Sequence, residues 1–140
     1  MTRNEVVMRA REFIDVPFVY QGRNRNGTDC AGLLVQVAGN WMTVKDFTAY
    51  RRRFKDVDVL LNIVEDHCVK VCNGTGGYMR LSDGQVLVFM IRGLLPHLAI
   101  VTGTEWMIHA YQLLGAVKET RVNQEWLSQV HSVWDFKGIE

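Results

Sequence analysis

The chain has 140 residues, 48% of them hydrophobic and 22% charged, which fits one globular domain spanning 1–140 with enough length to bury a full core. A net charge of +1, with aromatic residues scattered and not interleaved with basic ones, argues against a protein that works by coating nucleic acid. The first residues lack the apolar core of a signal peptide, and the longest apolar stretch, 86–101, is broken by Arg92, Gly93, Pro96 and His97, so neither an export signal nor a membrane span is expected and synthesis is assigned to a cytoplasm.

Thr2-Arg3-Asn4-Glu5 has capping-box spacing, and Val6, Val7, Ala10, Phe13 and Ile14 fall on one side of a helix expected to reach about Asp15. Pro17 prevents its continuation. Residues 18–21 read as extended and lead into a polar, glycine-punctuated loop that ends at Asp29. The apolar run after it predicts a second helix over about 30–38, with Asp29 as cap, Cys30 in the first turn and Gly39-Asn40 as the stop. Residues 41–56 give loop with short helical pieces. Val59, Leu60, Ile63, Val64, Cys68 and Val71 have helical periodicity, which predicts a helix over 57–72 ended by Asn73-Gly74. The pattern then changes to strands: 85–91 after a turn at Ser82-Asp83-Gly84, 97–102 after a loop over 92–96, 106–110 after Gly103-Thr104-Glu105, 117–122, a helical turn at 123–129, and a last strand at 132–136. Helices first and antiparallel strands second make an α+β chain.

The chemistry centres on Cys30. The first turn of a helix has unpaired N–H groups and a partial positive charge, so a cysteine there is expected to have a lowered pKa and a more nucleophilic sulfur. A hairpin turning at Gly103-Thr104-Glu105 sets His97 opposite His109 or one step beyond, close enough for the imidazoles to meet. A thiol, a histidine to accept its proton, and a second polar residue to hold that histidine form the logic of a thiol-protease triad. The same residues also fit a plain fold: a small buried cysteine and two hydrogen-bonded strand histidines.

Tyr20-Gln21-Gly22, Asp29-Cys30-Ala31-Gly32-Leu33, His97-Leu98-Ala99-Ile100 and Met107-Ile108-His109-Ala110 resemble, in type, order and spacing, the motifs of the NlpC/p60 family of papain-like cysteine peptidases that cut bacterial cell-wall peptides. The likeness runs from Ala10 to Phe136. The Met107-Ile108-His109-Ala110-Tyr111 stretch and the tail with Val117, Glu119, Trp126 and Val133-Trp134-Asp135-Phe136 are similar to the subgroup carried by phage tails and gene-transfer particles. The resemblance implies a papain-like α+β fold with N-terminal helices packed on a C-terminal antiparallel sheet and the nucleophile at a helix N-terminus. It implies Cys30 as nucleophile, His97 as base, His109 as third polar residue, and Tyr20 with the Cys30 N–H as oxyanion donors. Asp29 is then a capping or substrate-side residue. No metal or cofactor is called for. The implied substrate is the peptidoglycan stem peptide at its γ-D-glutamyl–diamino acid bond, and the implied partners are phage tail-tip proteins, in a particle that acts on the cell wall. Ala31 in place of serine, Gln21-Gly22 in place of Trp-Gly-Gly, and Asp83-Gly84 in place of Gly-Asp depart from the pattern.

Two other functions fit the same residues: a structural tail-tip component that keeps the fold without cutting, and a papain-like amidase or acyltransferase on another substrate. Arg23, Arg25 and Arg92 lie in loops near the motifs and are candidates to meet substrate carboxylates. His67, Cys68 and Cys72 look like part of a metal site but lack a fourth ligand, and two buried helix sulfurs are the simpler reading. Arg51-Arg52-Arg53-Phe54-Lys55 reads as a solvated basic face or an anion-binding run, His131 has no evident partner, and Trp106 and Trp126 suit packing or stacking on sugars.

Overall fold

The computed structural model describes residues 1–39, 57–74 and 80–140. The expectations for 41–56, including the basic run at 51–55, lie outside the described residues. In chain order the elements are α1 (Arg3–Arg11), β1 (Arg23–Asn24), β2 (Gly27–Thr28), α2 (Cys30–Ala38), α3 (Val57–His67), β3 (Cys68–Asn73), β4 (Val86–Ile91), β5 (Leu95–Gly103), β6 (Trp106–Tyr111), β7 (Ala116–Arg121), α4 (Gln124–Leu127) and β8 (Val130–Phe136). A short 3-10 turn, Gln112–Leu114, joins β6 to β7.

The α1 helix starts with the capping box: Thr2 Oγ1 accepts from the Glu5 N–H and the Glu5 carboxylate accepts from the Thr2 N–H. It ends at Arg11, earlier than the periodicity suggested, because the chain turns through Asp15 at φ 73° before Pro17. Segment 15–18 then runs beside β7: Val117 N–H donates to the Val16 carbonyl, Asp15 N–H to the Val117 carbonyl, and Phe18 N–H to the Gly115 carbonyl. This covers one edge of the large sheet.

That sheet has six strands in the order β3-β8-β4-β5-β6-β7, with antiparallel neighbours. Successive side chains of a strand point to opposite faces. Val86, Val88, Leu98, Ile100, Ile108 and Ala110 therefore pack in one core with α1, α2 and α3. Leu87, Phe89, Ala99, Val101 and Met107 form a second core on the other face, closed by Val130, Val133 and the Trp126 and Leu127 side chains of α4. Leu33 and Leu34 of α2 and Leu60 of α3 are fully buried, each contributing about 1.5–3 kcal/mol by its removal from water. Among the described residues, no helix is long and apolar enough to cross a membrane.

One predicted element is replaced. The helix expected over 57–72 stops at His67, and Cys68–Asn73 forms β3, which pairs with β8 and is the outermost strand on that side among the described residues. Cys68 is buried, whereas Val69, Val71 and Cys72 are exposed. The shared helix face that suggested two buried sulfurs, or a partial metal site, therefore does not exist; His67 donates from Nδ1 to the Ile63 carbonyl at 2.9 Å. The two ends of the described chain meet: the Glu140 N–H donates to the Met1 carbonyl, 2.9 Å, and Arg3 pairs with Asp135, 2.8 Å.

Candidate active site

The site begins with the entry into α2. The Asp29 carboxylate caps the helix by accepting from the Gly32 N–H, 2.7 Å. Its other oxygen accepts from the Gln21 N–H, 2.8 Å, and Arg23 pairs with the capping oxygen, Oδ1, at 3.0 Å. One buried carboxylate thus ties the polar loop to the helix start. Gly32 is required by the closeness of that loop: a Cβ there would sit 2.1 Å from the Gly22 carbonyl oxygen. Asp29 acts as the cap and loop anchor, with its oxygens turned to the protein.

Cys30 follows, and the backbone N–H groups of Leu98 and Ala31 pull its thiol pKa down. Leu98 lies in the stretch of β5 that precedes its pairing with β6 at Ile100–Ile108. Leu98 is the neighbour of His97, so α2 delivers its thiol to the strand that carries the candidate base.

The β5–β6 register differs from the expected one. Ile100 pairs with Ile108 and Val101 with Met107, and a bulge at Thr102 shifts the pairing before Gly103–Trp106. Carried back along β5, this sets His97 level with Tyr111 instead of His109: the tight turn at Thr104-Glu105 puts Gly103 opposite Trp106, and the extra residue of the bulge moves the pairing only one step back. His97 and His109 remain on one face as diagonal neighbours. His97 Nε2 and His109 Nδ1 are 2.9 Å apart, and His109 Nε2 is 2.9 Å from Thr120 Oγ1 on β7. With Nε2 committed to His109, the nitrogen that His97 has left for a thiol is Nδ1. Tyr111, Trp126 and Phe89 surround the pair, with ring centroids 4.9, 5.9 and 6.1 Å from His97.

Cys30 and His97 both line a narrow cleft of about 80 Å³. Its other walls are Phe18, Tyr20, Asp29, Ile91, Leu95, Pro96, Ala110, Tyr111 and Gln112. Tyr20 is in the cleft as expected, but its hydroxyl donates to Gln112 Oε1 at 2.6 Å. The Cys30 N–H is the first of α2, where a helix has no carbonyl of its own to offer.

Electrostatics overturn one expectation. Burial, and after it the Asp29 carboxylate, push the Cys30 thiol up to about 12, outweighing the pull of the Leu98 and Ala31 N–H groups and of Arg23. Burial also holds His109 down at about 4, and burial with the His109 neighbour holds His97 well below the usual imidazole range. The helix start does not win over desolvation here. The resting site is a neutral thiol beside neutral imidazoles.

The arginines are elsewhere. Arg23 is engaged by Asp29 and the Gly22 carbonyl, Arg25 bonds the Glu12 carbonyl and lies over the Phe13 ring, and Arg92 is exposed in the β4–β5 turn; none of the three lines the cleft. His131 lies against Ser132 Oγ, 2.9 Å, and Trp106 is exposed beside Arg121. Sequence reasoning missed Thr120 and Gln112. A diagonal register count from His109 across the β6–β7 hairpin finds the first; Gln112 sits in an irregular turn whose direction no periodicity reports.

The architecture is α+β and papain-like, with the candidate nucleophile at a helix N-terminus against an antiparallel sheet. It is the fold of the NlpC/p60 proteins. An NlpC/p60 family protein from Bacillus cereus superposes with a TM-score of 0.67 at 17% identity, over 95% of this chain and 39% of that one. The NlpC/p60 domain of the peptidoglycan hydrolase SagA gives 0.65 at 21% identity, over 95% of this chain and 97% of that domain. NlpC1 from Trichomonas vaginalis gives 0.65 at 16% identity, over 95% of this chain and 45% of that chain. The chain therefore spans less than half of the Bacillus and Trichomonas proteins and nearly all of the SagA domain. No family model matches the sequence, and no curated protein matches it.

Proposed function

We propose that this protein is a Cys-His-His cysteine endopeptidase of the NlpC/p60 type that hydrolyses peptidoglycan stem peptides, at the γ-D-glutamyl–diamino acid bond. The observation that carries the reading is the His97–His109 hydrogen bond of 2.9 Å in the wall of the cleft that also holds Cys30. The fold shared with a domain named as a peptidoglycan hydrolase supports the choice of substrate.

The resting neutrality of the site sets the order of events. The Cys30 proton passes to His97 Nδ1 as Sγ bonds to the amide carbon. The tetrahedral oxyanion develops at the start of α2, where the Cys30 N–H is the first donor; the Tyr20 hydroxyl becomes a second once it leaves Gln112. His97 returns its proton to the leaving amine, the C–N bond breaks, and water hydrolyses the acyl-enzyme. On sequence resemblance alone, the enzyme travels to the wall on a phage tail tip. Mass spectrometry of purified particles tests that placement.

A second reading, a structural component that cuts nothing, is favoured by the burial of Cys30, which is 6% exposed. A papain-like amidase or acyltransferase is favoured by the apolar walls at Phe18, Ile91, Leu95 and Pro96. One experiment separates the three. Purified protein and its Cys30→Ala variant are incubated with stem peptides, and new amino termini are followed by mass spectrometry. Cleavage at one bond by the parent alone is the expected result. No cleavage with rapid iodoacetamide labelling of Cys30 favours another acyl substrate; no cleavage with an inert Cys30 favours the structural role.

A further inference from the structure

We propose that Thr120 is a positioning residue of this site: its hydroxyl is the terminal acceptor that fixes the tautomers of His109 and His97 so that His97 Nδ1 is free to take the thiol proton. The inference rests on the reading of His97 as the base for Cys30. The chain of contacts is continuous. His97 Nε2 meets His109 Nδ1 at 2.9 Å, and His109 Nε2 meets Thr120 Oγ1 at 2.9 Å. Thr120 reaches His109 because β6 and β7 pair Met107 with Thr120 and His109 with Lys118, which puts Thr120 one diagonal step from His109 on the same face.

A neutral imidazole carries one N–H, and a hydroxyl can donate or accept. The chain therefore has two self-consistent proton orders. In one, both histidines are Nε2–H, the donors run from His97 through His109 to Thr120, and His97 Nδ1 is bare. In the other, Thr120 donates inward, both histidines are Nδ1–H, and His97 cannot accept a proton from sulfur. Proton transfer selects between them. Once His97 is an imidazolium, its Nε2–H must donate to His109 Nδ1. His109 must then carry its own proton on Nε2, and Thr120 must accept it. His109 is 1% exposed, so without the Thr120 oxygen that N–H would be buried with its acceptor removed, and the imidazolium would be harder to form. The third polar residue of the triad thus needs a fourth group to face it in one direction.

The test uses the full chain. Thr120→Val keeps the branched strand side chain and removes the oxygen; Thr120→Ser keeps the oxygen. Ring-nitrogen NMR shifts report the tautomer of each histidine, and the rate of Cys30 alkylation by iodoacetamide at pH 7 reports the base. The native protein and Thr120→Ser are expected to show His97 and His109 as Nε2–H tautomers. Thr120→Val is expected to show mixed tautomers and an alkylation rate lower by roughly tenfold. That loss is one of orientation and is smaller than the 10²–10⁴-fold attached to a general base itself. Thr120→Val with native tautomers and a native rate, or a rate that Thr120→Ser fails to restore, overturns the role of Thr120. His97→Gln is run beside them: a rate indifferent to His97 overturns the base reading and Thr120 with it, whereas a rate that needs His97 and ignores Thr120 overturns Thr120 alone. If Thr120→Val does not fold, Thr120→Ala carries the same comparison, with the same outcomes.

Discussion

Asp29 holds three partners with one carboxylate: the Gly32 N–H, the Gln21 N–H and the Arg23 guanidinium. It also stands next to the sulfur, and its charge is the second cause, after burial, of the raised Cys30 thiol. These two roles oppose each other, since the residue that builds the helix start also makes the thiolate harder to form. Asp29→Asn keeps a capping oxygen and removes the charge, and leaves Arg23 as an uncancelled positive neighbour. The expected result is a lower Cys30 pKa, seen as a shift of the alkylation rate profile to lower pH; an unmoved profile would mean that burial alone sets the thiol. The sequence shows Asp29 as a cap from its place before an apolar run. It does not show the direction of the Cys30 shift, because desolvation is a property of what packs over the residue. Tyr20 is a similar case. Its position before the polar loop is readable, and its bond to Gln112 is made by a turn on the other side of the cleft.

At the scale of elements, the loop over 21–28 and α2 fit together without spare room. A Cβ on Gly32 would approach the Gly22 carbonyl oxygen to 2.1 Å and the Thr28 hydroxyl to 2.5 Å. The nearest of these is backbone, so the helix and the loop must separate. Gly32→Ala is expected to lower stability by about 1–3 kcal/mol, the usual cost of an overpacked site, measured as a fall in urea midpoint at constant slope. Elements with strong local signals were legible: the Thr2 capping box, the Asp29 cap, the turn before β4, and the apolar runs of β4 through β6 between turn residues. Two were not. Residues 57–72 satisfy a helical period throughout, and the end of α3 at His67 is decided by β8, which offers a strand partner to Cys68–Asn73. An edge strand with exposed side chains on both faces leaves no alternation to read. The Thr102 bulge was also hidden, since a hairpin count assumes one residue against one. The two-residue turn at Thr104-Glu105 displaced the expected pairing of His97, and the bulge brought both imidazoles onto one face, so the constellation was readable although its register was not.

Across the whole molecule, the buried titratable groups confine stability to a window of pH. His97 and His109 are held neutral in the fold, His109 down at about 4, whereas an unfolded chain protonates them near 6.5. Their contribution is complete above 6.5 and is lost as pH falls through the folded values. Cys30 and Cys68 are shifted the other way, Cys30 to about 12, against 9.0 in an unfolded chain. Their contribution is complete below 9.0 and is lost as pH rises. Unfolding free energy plotted against pH is expected to form a plateau between those limits and to fall on both sides, with a slope near 1.4 kcal/mol per pH unit for each proton linked. His109→Asn should flatten the acid limb between 6.5 and 4. A decline at acid pH that this variant leaves intact would assign the limb to the carboxylates. The α+β class and the order of helices before strands were legible at this scale from periodicity. Which groups end up in the dark between two cores was not, because it depends on how far the sheet and α4 close over the histidines.

The contact between Met1 and Glu140 makes the path of the backbone nearly a ring. A unit of this kind can be set into a longer chain as a single insertion, with the incoming and outgoing strands of the host crossing at one point and no need to span the body of the fold. The same closure means that a linker of a few residues would join the ends without disturbing the sheet, so the order in which the elements are strung is less constrained than the order in which they pack.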